Sequence, residues 1–510
     1  MFTKKLIKIY ITRLLGIIAS ILSYTIVIPK LSSNVGSYGI YTVVVSLLML
    51  LQYADLGFLG AGQKYAAESY GRNDKEEEIK ILSFVHFILL VVVCIYAMSL
   101  FCVYLNPHFI FNNLSKTDLQ LVKNFILIFI YFSPVIVMQR FVSAVFSIRI
   151  DDYIQQYVDI VSNLIKIAST FYFFNEITYN IVGYILFIQI LNFISSLIGI
   201  FIIKIKYQYD FYLVLRSFKF NKKIFDKTKK MALTSIILTL TWISYYELDS
   251  IYVSKLYNPK TVALFAIGIS MLTFSRSLMN VFFSPFQAKF NHLRGINDEK
   301  LLSSYFLRLI IWSFPISIIP TIGIILLMKP LIISWIGFEY LESITISRIL
   351  ILNLVFAFIS VPISYLAMAR EKLSFLLISS ISLPFFYLLI ILLFKNQLNY
   401  LALPISKVVT ILINVLINFF LLKRIIEESI CKLFLTICIQ IIIPLCLMGV
   451  MLYISKSFWN LQTGKNPFNF IKIITTGSVC IILPIGLFYL INSYTRTYLF
   501  NFLLKSKKDY

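Results

Sequence analysis

The chain is short of nearly everything a soluble catalyst is built from. Only 14% of its residues are charged, and 23 acidic residues face 46 lysines and arginines. Histidine occurs three times, at His86, His108 and His292, with no ligand spacing. The six cysteines (Cys94, Cys102, Cys431, Cys438, Cys446 and Cys480) lie scattered in apolar stretches and form no CxxC pair, so neither a metal site nor a disulfide framework is expected. No GxxxxGK(S/T) loop is present, which excludes ATP hydrolysis through a P-loop, and there is no HExxH. Long polar loops are missing too, so there is no room for a separate catalytic domain. The expectation is a protein that is not an enzyme and carries no cofactor.

What is present is apolar surface. The hydrophobic fraction is 59%, more than a soluble core of this size can hide. It falls into about fourteen stretches, each of a length to cross a bilayer as a helix. They run near 9–28, 38–60, 81–105, 121–142, 156–175, 181–203, 231–254, 262–285, 305–327, 345–369, 373–394, 399–422, 433–455 and 468–492. The fold class is therefore all-α and polytopic, because only helices satisfy the backbone of such segments in lipid. Lys4, Lys5 and Lys8 before the first stretch resemble a signal peptide, but no small-residue cleavage site follows, so it is read as a retained first helix.

Net charge is +23, which in a soluble protein would suggest nucleic acid; in a membrane protein basic residues gather on the cytoplasmic side, and no nucleic-acid partner is expected. Alternate connections hold 29 lysines and arginines against 8 in the others, which puts both termini in the cytoplasm. The most basic connection, 204–230, separates six stretches from eight. Its segment Tyr207–Phe225 mixes aromatics with Arg216, Lys219, Lys222 and Lys223. A helix on an anionic leaflet and an ordinary solvated linker both fit that composition. A faint repeat links the turn at Pro29-Lys30-Leu31, re-entering with Tyr38-Gly39-Ile40-Tyr41, to Ser254-Lys255-Leu256, re-entering with Ala263-Leu264-Phe265-Ala266.

Polar residues inside spans are costly and so are functional candidates. The fifth stretch carries Asp159, Asn163, Lys166 and Thr170, on one helical face by their spacing. The sixth carries Gln189, Asn192 and Ser196, and the eighth Thr273, Arg276, Asn280 and Ser284. The twelfth carries Lys407, Asn414 and Asn418; the first, Arg13, Ser20 and Tyr24; the seventh, Thr241, Tyr245 and Asp249 beside Glu247. The simplest arrangement has these stripes converge on one water-filled cavity. Deep cations (Lys166, Arg276, Lys407) outnumber the anions Glu247 and Asp249, so the cavity suits an anionic solute such as a diphosphate or an acidic sugar. Bland roles stand beside these. Arg13, Arg140 and Arg348 lie near span ends and can snorkel. Asp159 and Lys166 can pair through a neighbour. Asp249 fits a coupling-cation site or simply the partner of a cationic helix. The pair Asp151-Asp152, in a turn, is too little for a metal-diphosphate site.

The segment Tyr53-Ala54-Asp55-Leu56-Gly57-Phe58, followed by Lys64, Tyr65-Ala66-Ala67 and Gly71-Arg72-Asn73-Asp74, resembles the second helix and following loop of Wzx-type polysaccharide biosynthesis proteins, the O-antigen and capsule repeat-unit flippases. Asp249-Ser250-Ile251-Tyr252-Val253, with Ala263 to Ser270, is similar to the family's second-bundle hairpin; Pro285-Phe286 with Lys289 is similar to the exit of its eighth helix, and Pro29 to Gly39 to its first hairpin. The resemblance implies two six-helix bundles facing a central cavity, as in the superfamily that includes drug/cation antiporters and the lipid II flippase, with the last two stretches added as a C-terminal pair. The implied division is 1–203, a linker 204–230, 231–425 and 426–510. The implied cargo is an undecaprenyl-diphosphate-linked oligosaccharide in the bacterial cytoplasmic (inner) membrane, with membrane lipids and other polysaccharide assembly proteins as the partners such a cargo brings. Substrate contacts would fall to Arg276, Lys166, Lys407, Arg13, Arg348 and Asn280, and ion coupling to Asp249 and Glu247. A drug exporter of the same fold would want an acidic cavity. A repeat-unit polymerase or ligase would resemble chains with a large arginine-bearing outer loop, and the longest outer connections here, 105–120 and 328–345, contain no arginine.

Overall fold

Side-chain caps start several of these helices. In the computed structural model, which describes residues 2–51, 53, 57–112, 114–175, 177–295, 299–370, 373–422, 441–459 and 464–491, the run opens with α1 (Phe2–Leu31), α2 (Val35–Leu51), α3 (Phe58–Gly71) and α4 (Lys75–Leu105). It continues with α5 (Lys116–Phe132), α6 (Val135–Ile148), α7 (Asp152–Phe173), α8 (Ile181–Tyr207), α9 (Phe211–Arg216), α10 (Lys222–Tyr246) and α11 (Asp249–Leu256). Asp74 accepts from the Glu77 amide, Asn180 from Gly183, Asp210 from Leu213 and Asn221 from Ile224, each satisfying an orphan donor of the first turn. Ser115 and Asp118 form a reciprocal capping box.

The described residues pack as two units, Met1–Ala263 and Leu264–Tyr510, with the boundary inside α12 (Pro259–Gly295). In the first unit α1 lies along α7, α7 and α6 along α8, α3 along α4, and α2 along α5. Helices α10 and α11, which follow the basic segment, pack on α3 and α2 and so belong to this unit. The second unit holds α13 (Glu299–Ile336), α14 (Ser343–Ile351), α15 (Ala357–Ala369), α16 (Leu373–Leu398), α17 (Ala402–Leu422) and the helices Ile442–Ser455 and Pro467–Ile491. Here α16 and α17 form a hairpin, and Pro467–Ile491 packs on α13.

The chain is an all-helical, multi-pass membrane protein. Among the described residues eight stretches are long and apolar enough to cross a membrane, and the bent pair α5 and α6 makes a ninth. The difference from about fourteen has local causes. Phe375–Asn418 passes as one stretch but turns back near Asn399, whose φ of 48° is left-handed, giving the two spans expected there. The span expected at 121–142 bends by 45° at Ser133-Pro134, where proline has no N–H to continue the ladder. The span expected at 38–60 is not one helix: α2 stops at Leu51 and α3 starts after left-handed Gly57. The span at 231–254 breaks between Tyr246 and Asp249. Helix α7 carries too many polar groups to count as apolar. The thirteenth span is described only from residue 441. Asp55, on which part of the family resemblance rests, lies outside the described residues.

Two lysines singled out in the repeat have parallel uses. Lys30 donates to the Phe174 carbonyl at 3.0 Å, and Lys255 to the His108 carbonyl at 3.0 Å. Each ties a hairpin end to a neighbouring connection. The re-entry segments also meet, because Gly39 leaves room for the Pro259 carbonyl to approach its backbone.

Candidate functional site

The apolar faces of α6, α7 and α8 hold these helices together, while their polar stripes leave a space between them. That cavity, about 390 Å³, is lined from α6 by Gln139, Arg140 and Ser143, from α7 by Gln155, Asp159, Ser162, Asn163 and Lys166, and from α8 by Asn192, Ser195 and Ser196. Its close side is set by Gly199, where an added methyl would overlap Val142 of α6. The half-buried Lys166 donates to Asn192 Oδ1 at 2.8 Å across the α7–α8 seam. The Ser162 hydroxyl is buried with no hydrogen-bond partner, which costs about 1–3 kcal/mol unless something else fills the role. Two cationic side chains and one carboxylate leave the cavity net positive.

The stripes on the fifth and sixth stretches therefore meet. The α7 stripe is wider than the spacing of Asp159, Asn163 and Lys166 implied: Gln155 and Ser162 continue it, since 155, 159, 162 and 166 share one face. Arg140 joins it from α6 and does not run to the span end; the adjacent Gln139 and Ser143, on the same turn, were the available signal.

The other candidates are elsewhere. Arg13 is exposed on α1 near the start of α7, where burial pushes the Asp152 carboxyl up and the Arg13 charge opposes that shift. Glu247 accepts from the Tyr53 hydroxyl at 3.1 Å, and Asp249 is buried at the start of α11. In the second unit Arg276 is half-buried and Asn280 exposed on α12, while Arg348 is exposed and donates from Nε to the Ile325 carbonyl at 3.2 Å. Lys407 is 1% exposed, with its ammonium 5.4 Å from the Tyr387 ring centre of α16. The rest of its stripe is spent on the hairpin: Asn414 donates to the Ser379 carbonyl at 2.7 Å and to Ser382 Oγ at 2.9 Å, and Asn418 donates to Asn414. Among the described residues no three His, Cys, Asp or Glu side chains stand close enough to hold a metal ion.

A second polar cluster, at the end of the first unit that carries the basic segment, is closed. Arg149 pairs with Glu78 at 2.8 Å, their side chains 5% and 0% exposed. The Tyr209 hydroxyl also donates to Glu78; burial first, and that carboxylate second, hold it well above its ordinary pKa, so it keeps its proton. Beside it Asp151 accepts from Lys206 at 3.0 Å and from Tyr207 at 2.6 Å. This cluster fastens α3, α4, α6 and the 207–209 turn.

No family model matches the chain, and no curated protein does. Solved structures do. A lipid II flippase, MurJ, in an inward closed conformation aligns over 96% of this chain and 100% of its own, with 17% identity and a TM-score of 0.64. An inward-facing multidrug resistance MATE family transporter aligns over 81% and 96%, with 13% identity and a TM-score of 0.65. A MOP superfamily transporter from Pyrococcus furiosus aligns over 84% and 97%, with 15% identity and a TM-score of 0.54. At such identities the likeness is one of architecture, and in architecture the chain is folded as the lipid II flippase and the MATE transporters of the MOP superfamily are.

Proposed function

We propose that the chain is a flippase that turns an undecaprenyl-diphosphate-linked oligosaccharide repeat unit, of O-antigen or capsule, from the inner to the outer leaflet of a bacterial cytoplasmic membrane. The observation that carries this reading is the pair of cations, Lys166 and Arg140, on the wall of a polar cavity inside an apolar bundle. An amphiphile with an anionic, hydroxylated head fits such a wall, while its tail stays in lipid. The shared fold with a solved lipid II flippase supports the same class of cargo. Arg276, Lys407, Arg13, Arg348 and Asn280 are assigned further contacts with the cargo. Asp249 and Glu247 are assigned coupling to an ion gradient, since no P-loop supplies ATP hydrolysis. The basic segment faces the cytoplasm, with both termini.

Asp159 on the same wall favours a second reading, exchange of a cationic drug. Two cations beside one carboxylate weigh against it, because a like charge entering that space is repelled.

The test is made on cells lacking the gene. Lipid-linked oligosaccharides are extracted and sized by mass spectrometry, and surface glycan is scored in parallel. Accumulation of one complete repeat unit on the inner leaflet, with surface polymer lost, is the expected result. Normal intermediates and normal surface glycan would remove the flippase reading and advance drug export.

A further inference from the structure

The cavity between α6, α7 and α8 offers more than positive charge. A diphosphate only accepts hydrogen bonds, so a wall made for it would be donors alone. This wall is mixed. Gln139, Gln155 and Asn163 each bring a donor and an acceptor, and Asp159 brings acceptors only, which call for a ligand that also donates. Among the described residues these four side chains make no hydrogen bond, and the buried Ser162 hydroxyl has no partner either. Lys166 is held in place by Asn192 with two of its three donors unspent.

A ligand that would satisfy all of these has several hydroxyls, which both donate and accept, and one compact negative group. A volume of about 390 Å³ is at the small end of ligand pockets, with room for a sugar ring or two and none for a polyprenyl chain. We infer that this cavity holds a carboxylated sugar of the cargo, its carboxylate at Lys166 and Arg140 and its ring hydroxyls shared among Asp159, Gln155, Asn163 and Ser162. The inference rests on the flippase reading for its cargo and deepens it: the cavity reads the glycan, and the diphosphate is bound outside it.

The experiment uses the full-length protein in nanodiscs of uncharged lipid and saturation-transfer NMR. The probes are D-glucuronate, D-galacturonate, N-acetylneuraminate, D-glucose and inorganic pyrophosphate. At least one carboxylated sugar is expected to receive saturation, more strongly than glucose, and an equal concentration of pyrophosphate is expected not to displace it. Lys166→Met should weaken that signal at least 5-fold, and Lys166→Arg should restore most of it. Asp159→Asn should weaken the signal while leaving the fold intact by melting temperature, which covers the case where Lys166→Met fails to fold. Displacement by pyrophosphate, equal response to glucose, indifference to both variants, or silence from all three acids would each overturn the assignment. Silence here, with the repeat unit still accumulating in the deletion strain, removes the sugar assignment and leaves the flippase. Sugar binding with normal lipid intermediates does the reverse.

Discussion

Arg149 and Glu78 form an ion pair that water does not reach, under a roof of aromatic rings. The guanidinium carbon lies 4.7 Å from the Tyr70 ring centre, 4.8 Å from Tyr207 and 5.2 Å from Tyr209. A buried pair is weak evidence of net stabilisation, but losing one partner strands the other charge at a cost of about 3–5 kcal/mol. Arg149→Ala and Glu78→Ala are each expected to lower the melting temperature of the purified protein sharply. The double variant Glu78→Leu, Arg149→Met, which strands nothing, should recover much of the loss. Arg149→Lys should not, since an ammonium neither stacks on three rings nor forks to a carboxylate. If single and double variants melt alike, the pair does not fasten this end of the unit.

This pair shows where sequence runs out. Glu78 stands in Lys75-Glu76-Glu77-Glu78 and looks like a solvated charge run, and its partner is on another helix. Nothing local says that Glu76 is exposed and Glu78 buried. The stripes on α7 and α8 were legible because a bilayer makes polar spacing costly to keep, and the helical repeat fixes which residues share a face. Arg140 was not, because nearness to a span end is the same signal for snorkelling and for lining a cavity. The α17 stripe was read in spacing but not in purpose: Asn414 serves α16, a partner that spacing does not name. The helix breaks were marked by Gly57 and Pro134 but hidden inside unbroken apolar runs, since hydropathy is blind to backbone geometry.

Gly39 is expected to be intolerant. A side chain there would meet the Pro259 carbonyl, which is backbone and cannot swing aside. Gly39→Val should cost more than the about 1–3 kcal/mol of ordinary overpacking and appear as loss of full-length protein from membranes. Gly16→Ala on α1, with open space around it, is the control and should be neutral or slightly stabilising. Equal levels of the two variants would mean that this close approach does not hold in the membrane.

The α16–α17 hairpin depends on Asn414. Its amide bridges Ser379 and Ser382, and its oxygen accepts from Asn418 at 3.0 Å. Interhelical hydrogen bonds in membranes average about 0.6 kcal/mol each, so Asn414→Leu should cost about 1–2 kcal/mol. Urea-free thermal melts in detergent would detect that. Ser379→Ala should cost less, because the Ser379 carbonyl remains as acceptor.

Asn192 sets how much of the Lys166 charge the cavity presents. As an amide it orients the ammonium at 2.8 Å and leaves the charge intact. Asn192→Asp keeps the shape but puts a carboxylate on the ammonium, so the wall loses its net positive charge. Stability should change little, because the cost of desolvating the new carboxylate offsets its attraction to the ammonium. Transport of an anionic cargo should fall at least 10-fold, read as accumulated lipid-linked repeat unit and lost surface glycan at normal protein level. Asn192→Ala removes the orienting contact without cancelling the charge and should fall less. For a cationic drug the order reverses: Asn192→Asp would improve export. The two variants therefore report the sign of the cargo, and an Asn192→Asp protein with full glycan transport would show that Lys166 does not meet an anion there.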